Sequence, residues 1–169
     1  MNKKSPYILG IVAASSGTGK TTLIEKMIPI FLRKKIRLSV IKHAHHDFDV
    51  DYPGKDSYRL RKSGAFQTLI FNDTRSALIT EFDKPDNLKS MISTMNQNVD
   101  IIIIEGLRNG NFNKIEVHRA SHSKEKLFLH DKNIIAVVTD KKINALIPTL
   151  QIEDTEEITD FIIGQIKNE

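Results

Sequence analysis

Ala14-Ser15-Ser16-Gly17-Thr18-Gly19-Lys20-Thr21-Thr22 decides how this chain is read. It fits the pattern of a phosphate-binding loop (P-loop), with Ala14 where a leading glycine usually stands. The residue types follow from the chemistry of a polyphosphate. Gly17 and Gly19 let the backbone curl so that successive N–H groups point inward at phosphate oxygens. A helix beginning near Lys20 adds its N-terminal dipole. Lys20 has the reach to contact the β- and γ-phosphates, and the Thr21 hydroxyl is a ligand for Mg²⁺. Ser16, Thr18 and Thr22 complete the expected cradle. The bland alternative is a glycine-containing turn that binds nothing.

The flanks favour the cradle. Tyr7 to Ala14 is continuously apolar and rich in β-branched residues, as expected of a strand covered on both faces. From Lys20 to Lys35 the apolar residues Leu23, Ile24, Met27, Ile28, Phe31 and Leu32 recur at helical spacing. Pro29 lies inside that helix and is expected to kink it, because it lacks an N–H and crowds the preceding turn. Leu38 to Ile41 reads as a second buried strand, and Lys42 to Gly54 as a polar loop. Lys55 to Ser63 reads as a short basic helix closed by Gly64. Phe66–Phe71 and Ala77–Phe82 flank Asn72-Asp73-Thr74-Arg75 as a β-hairpin.

Asn87 to Asn96 is expected to be helical with Asp86 as its N-cap, and Val99 to Ile104 is the strongest strand of the chain. Two further strands are expected near Lys114–His118 and Ile134–Val138. The last helix opens on Asp154-Thr155-Glu156-Glu157, a capping-box-like start, and runs to about Lys167. The succession predicts an α/β fold, P-loop NTPase-like: a mostly parallel sheet flanked by helices, with an inserted antiparallel β-hairpin. No internal boundary is visible, so residues 1–169 are expected to form a single nucleotide-binding domain.

Three further stretches carry candidate chemistry. Asp100-Ile101-Ile102-Ile103-Ile104-Glu105-Gly106 has the form of a Walker B strand, with Glu105 in place of the more usual Asp. A carboxylate at the end of such a strand can hold Mg²⁺ or its water, and Gly106 suits a close approach of backbone to a γ-phosphate. The run from Lys42 to Ser57 contains His43, His45, His46, Asp47, Asp49, Asp51 and Asp56. It is read as a loop that senses the γ-phosphate, able to bind a transition metal through imidazole or Mg²⁺ through carboxylate, with Asp47 or Asp49 orienting a water. A solvated polar loop is the alternative. Thr139 and Asp140 end another apolar strand, where an Asp can accept from N1 and N2 of guanine; an Asp that only caps a turn fits the residues equally well.

Charge and composition narrow the classes. Residues 1–64 hold 13 basic and 5 acidic side chains, whereas residues 65–169 hold 12 and 16, so an anionic ligand is expected in the first part. The acidic remainder and the lack of interleaved aromatic residues argue against nucleic acid as a partner. Cysteine is absent, which excludes disulfides, thiol nucleophiles and Cys-ligated metals. The N-terminal apolar run of eight residues is too short for a signal segment or a membrane span, so a cytoplasmic protein is expected.

Taken together, the motifs resemble the molybdopterin-guanine dinucleotide biosynthesis adapter protein B (MobB) family. The resemblance rests on Ser16–Leu23, on Ile41-Lys42-His43-x-His45-His46-Asp47-x-Asp49-x-Asp51-x-Pro53-Gly54-Lys55-Asp56-Ser57-Tyr58, on Lys62-x-Gly64-Ala65 and on Val99–Gly106. It implies a GTP- and Mg²⁺-binding protein with at most slow hydrolysis, which assists the guanylyltransferase that joins GMP to molybdopterin. It also implies a homodimer, for which the hairpin is the candidate contact. By the same resemblance Gly17, Gly19, Lys20, Thr21 and Thr22 would hold phosphates. Thr21, Asp49 and Glu105 would serve the metal, and Asp140 would read guanine. His43, His45, His46 and Arg59 are further candidates for the cofactor's phosphate, and Arg59 or Arg108 for an arginine acting on the γ-phosphate. A small-molecule P-loop kinase is the alternative; Asn109-Gly110-Asn111-Phe112-Asn113 makes a poor lid for one.

Overall fold

In the computed structural model, residues 5–44, 46–84 and 87–168 are described; His45 and Asp86, both named above, lie outside them. The chain divides into two compact units. The larger contains the residues up to His43 and those from Asn96 onward; the smaller is Ala44–Met95.

The larger unit is built on six parallel strands in the order β2-β5-β1-β6-β7-β8. They are β1 (Tyr7–Val12), β2 (Leu38–Lys42), β5 (Ile101–Glu105), β6 (Asn113–His118), β7 (Ile134–Thr139) and β8 (Thr149–Gln151). Alternate residues of the inner strands, Leu9, Ile11, Ile101, Ile103, Ile115, Val117, Ala136 and Val138, form one core with two helices. These are α1 (Lys20–Arg33) and α4 (Thr155–Asn168), which contribute Leu23, Met27, Phe31, Ile158 and Ile162. The helix α1 runs on through Pro29 and closes in a Schellman turn, with Lys35 at φ 61° and the Ile36 N–H on Phe31 O at 2.9 Å. The Asp154 carboxylate accepts from Glu157 N at 2.9 Å, as the capping-box start predicts.

Two expectations need correction. Leu38–Lys42 is an edge strand with half-buried and exposed residues, because only β5 pairs with it. In addition, β8 was not expected: among its three residues only Leu150 is buried, too little for a periodic signal.

The opposite face of the sheet is closed differently. The strands β5 and β6 flank β1, so the chain between them must cross it, and it does so without a helix. Phe112 lies over Gly10, where a methyl group would sit 2.7 Å from the ring. Lys114, 1 % exposed, donates to Gly110 O at 2.7 Å and to Asp131 at 2.9 Å. Glu116, fully buried, accepts from Leu127 N and Phe128 N at 3.0 and 2.9 Å, which holds the 3₁₀ turn Leu127–Leu129. Two charges of one strand thus anchor both crossovers, neither of which contains an α-helix.

The smaller unit contains α2 (Asp56–Lys62), the hairpin of β3 (Gln67–Phe71) and β4 (Ser76–Thr80), and α3 (Leu88–Thr94). Its hairpin is a separate two-stranded sheet joined across Asn72–Arg75, as the sequence predicts. The N-cap of α3 is Asn87, whose side chain accepts from Ser90 N at 3.0 Å. At the centre of the unit Arg61 binds Asp49 at 2.6 Å, Asp51 at 2.7 Å and Glu81 at 2.9 Å.

Replacing Glu116 by Ala leaves two half-buried amides without their acceptor, which should cost about 1–3 kcal/mol of stability. Denaturant unfolding of the purified variant measures this; a loss below about 1 kcal/mol would show that the crossover is held by other contacts.

Candidate functional site

Strand register builds the site. Parallel pairing sets Ile11 of β1 beside Glu105 of β5, and Glu105 beside Lys42 of β2. The loop that leaves β1 therefore starts where the β5 carboxylate ends. Gly17 and Gly19 have φ values of 74° and 94°, in the left-handed region, and Gly19 is the N-cap of α1. A methyl on Gly17 or Gly19 would meet only side-chain atoms of His122 at 3.7 Å or Arg119 at 3.9 Å, so the loop's hollow is open to a ligand. Thr18 is buried, and its hydroxyl has no partner. Ser16 and Thr22 are exposed.

Lys20 reaches back to Ser15 O at 3.3 Å. Burial lowers the Lys20 ammonium below the ordinary lysine range; Glu105 opposes this, and Arg108 and Lys42 reinforce it. The Thr21 hydroxyl donates to Glu105 Oε1 at 2.5 Å, and Lys42 lies 3.9 Å from Oε2. This pair of hard oxygen donors at the loop's end fits a small divalent cation that keeps most of its waters and takes phosphate oxygens as further ligands. Among the described residues no three His, Asp or Glu side chains converge as a metal site of their own.

Gly106 has φ 87°, but its N–H is spent on Ile11 O at 3.0 Å, and a methyl there would meet His43 O at 3.4 Å. The close approach at Gly106 is thus to the backbone that follows β2. Thr139 uses its hydroxyl to hold the turn at Lys141, with distances of 3.1 and 3.3 Å. Asp140 Oδ2 lies 3.5 Å from Arg119, while its buried Oδ1 has no partner.

Arg119 is the residue that the sequence reading missed. It follows β6 directly, donates from Nε to Thr18 O at 3.1 Å, and so joins the loop to Asp140. The signal was a cation immediately after a strand that pairs with β1, legible only once the strand order is known. Arg108 donates to Ala14 O at the start of the loop.

The other predicted residues fall in or beside the smaller unit. Asp47 and His46 are exposed, as is His43 at the end of the larger unit. Asp49, expected to bind metal, pairs with Arg61 at 2.6 Å and is half exposed. The Arg61 guanidinium holds the Asp51 carboxyl below its usual range. Arg59 pairs with Asp56 at 3.6 Å on an exposed face of α2.

A parallel sheet whose first strand runs through a glycine loop into a helix, with a carboxylate hydrogen-bonded to the loop's Thr21, defines a P-loop NTPase-like fold. The chain belongs to the MobB family: the family model "Molybdopterin guanine dinucleotide synthesis protein B" matches residues 8–140. It is 44 % identical over 156 residues to the molybdopterin-guanine dinucleotide biosynthesis adapter protein of Escherichia coli K12, covering 89 % of each chain. It is 38 % identical to the adapter protein of the same name from Haemophilus influenzae, covering 96 % of this chain and 90 % of that one. Among solved structures, a crystal structure of molybdopterin-guanine biosynthesis protein B superposes with a TM-score of 0.74 at 26 % identity, over 94 % of this chain and 99 % of the other.

The lowered pKa of Lys20 has a definite sign. The unfolded chain binds this proton more tightly, so Lys20 costs stability at neutral pH, and that cost fades as pH rises toward the ordinary lysine value. Lys20→Met should therefore raise the melting temperature of the ligand-free protein while weakening triphosphate binding roughly ten- to hundredfold. Thermal melts with and without inorganic triphosphate test both halves; a variant that still gains the wild-type melting shift from triphosphate would remove Lys20 from the site.

Proposed function

We propose that this chain is a GTP-binding adapter that assists the attachment of GMP to molybdopterin by the molybdenum cofactor guanylyltransferase. The observation that carries the guanine part is Asp140. Its unpartnered Oδ1 stands on the sheet edge that bears the phosphate loop, joined to that loop through Arg119. Guanine presents N1–H and N2–H₂ as donors to such a carboxylate, whereas adenine offers an acceptor at N1 and leaves the oxygen unsatisfied.

The residues divide the work simply. The backbone amides from Gly17 to Thr22 hold phosphate oxygens, Lys20 offsets their charge, and Thr21 with Glu105 would hold Mg²⁺. Bound Mg²⁺ supplies charge neutralisation and fixes the terminal phosphate oxygens. An adapter works by binding and release, so hydrolysis is at most slow and no step of this reading depends on it. The relatives' names carry the link to molybdopterin-guanine dinucleotide.

The reading includes a homodimer formed through the hairpin. Gln67, Leu69, Phe71, Ser76, Leu78 and Thr80 share one face by register, on which Leu69 is 59 %, Phe71 75 % and Leu78 52 % exposed. An apolar face on a two-stranded sheet invites cover by a second copy.

Equilibrium binding of GTP, GDP and ATP with Mg²⁺ tests the nucleotide part. Guanine nucleotides should bind tighter by tenfold or more, and Asp140→Asn should erase most of that ratio; equal affinity for ATP would overturn the reading. For the dimer, Leu69→Lys combined with Leu78→Lys should sediment as a monomer. A double variant that sediments with the wild type would take the hairpin out of the interface.

A further inference from the structure

Strand order fixes how functional groups succeed one another along the edge where the phosphate loop opens. Glu105 ends β5 on one side of β1; on the other side β6 leads into Arg119, and β7 beyond it leads into Asp140. Neighbouring strands lie about 4.8 Å apart, so β7 stands roughly 10 Å from β1. A nucleotide with its metal at Thr21 and Glu105 and its base at Asp140 must therefore pass over the end of β6. The part that crosses there joins the terminal phosphates to the base: the α-phosphate and the ribose.

The chain turns back on itself at that point. Arg119 O accepts from His122 N at 2.9 Å and from Ser123 N at 3.2 Å, which closes a turn over residues 119–122. Both ends of the turn are fastened to the phosphate loop. Arg119 donates to Thr18 O at 3.1 Å, and the His122 carbonyl accepts from Ser15 Oγ at 3.4 Å. The His122 ring has its Nδ1 3.0 Å from Ser121 Oγ. A methyl on Gly17 would meet its Cδ2 at 3.7 Å and its Nε2 at 3.9 Å, so the edge that carries Nε2 faces the loop.

The Arg119 guanidinium is engaged by Thr18 and Asp140, whereas no hydrogen bond among the described residues uses His122 Nε2. With Ser121 donating to Nδ1, the proton of the neutral ring sits on Nε2; in the imidazolium both nitrogens carry one. Nε2 is a donor in either state. We propose that His122 is a nucleotide-binding residue, donating from Nε2 to the α-phosphate of a nucleotide held in the phosphate loop. It rests on the nucleotide reading and adds one contact to it. The loop amides and Lys20 hold the terminal phosphates, and His122 fixes the point where the ligand bends toward its base. A ribose hydroxyl is the other acceptor in that span, but an anionic phosphate oxygen is the stronger one.

Equilibrium binding to the full-length protein with Mg²⁺ tests this with three probes: GTP, GDP, and GTP carrying sulfur on its α-phosphate. His122 is exposed, so its substitution leaves the core intact. His122→Ala should weaken GTP and GDP by the same factor, roughly tenfold, because both keep the α-phosphate. His122→Gln, which places an amide N–H near the position of Nε2, should recover most of that loss. The wild type should bind one α-thio diastereomer more weakly than GTP, and His122→Ala should lose most of this discrimination. If GTP weakens and GDP does not, the ring touches the terminal phosphate and the proposal is overturned. It is overturned equally if His122→Ala binds like the wild type, or weakens GTP while keeping the full sulfur discrimination. The nucleotide reading beneath it fails differently, when the wild type itself binds no GTP or binds ATP equally well.

Discussion

Everything at the nucleotide edge depends on the parallel pairing of β1 on both of its sides. Because β5 and β6 run with it in register, their last residues arrive at the edge where the phosphate loop begins. Glu105 comes within 2.5 Å of Thr21 from one side, and Arg119 reaches Thr18 from the other. No single residue of the loop sets this arrangement. A slip of one position in either pairing would turn the side chains of that strand to the other face. It would carry Glu105 or Arg119 away with them.

That pairing is itself secured by an unusual division of the sheet's two faces. One face is apolar and packed under α1 and α4. The other contains Lys114 and Glu116, charges that would be intolerable in an empty interior. They are satisfied because the crossovers bring Gly110, Asp131, Leu127 and Phe128 to them. Crossovers without an α-helix and buried charges are therefore one solution: each would be costly without the other.

The sequence was most legible where one local signal had one meaning. The apolar run of β1, the glycine loop, the periodic face of α1 and the turn at Asn72–Arg75 all appear where the residues place them. It was least legible where meaning comes from neighbours distant in the chain. Leu38–Lys42 looks as apolar as a central strand, yet only its position at the edge decides its exposure. Nothing local to their strand marks Lys114 and Glu116 as buried charges; that follows from the two crossovers. Asp49 reads as one acid among several in its loop, and only the fold of the smaller unit brings Arg61 to it. Arg119 gave no motif at all. Its part in the site follows from β6 lying next to β1, which no spacing in the chain encodes.

The smaller unit, Ala44–Met95, is spliced into the chain between β2 and β5, which pair directly. Closing so long a loop costs roughly 1.5 kcal/mol more than closing one of ten residues, so the insertion weighs little on equilibrium stability. Its effect falls on the order of events during synthesis. The phosphate loop leaves the ribosome early, but β1 has neither of its neighbours until residues beyond 100 have been made. The nascent chain can complete its hairpin unit first, from contacts close in sequence. Capture of a nucleotide is therefore among the last properties the growing polypeptide acquires.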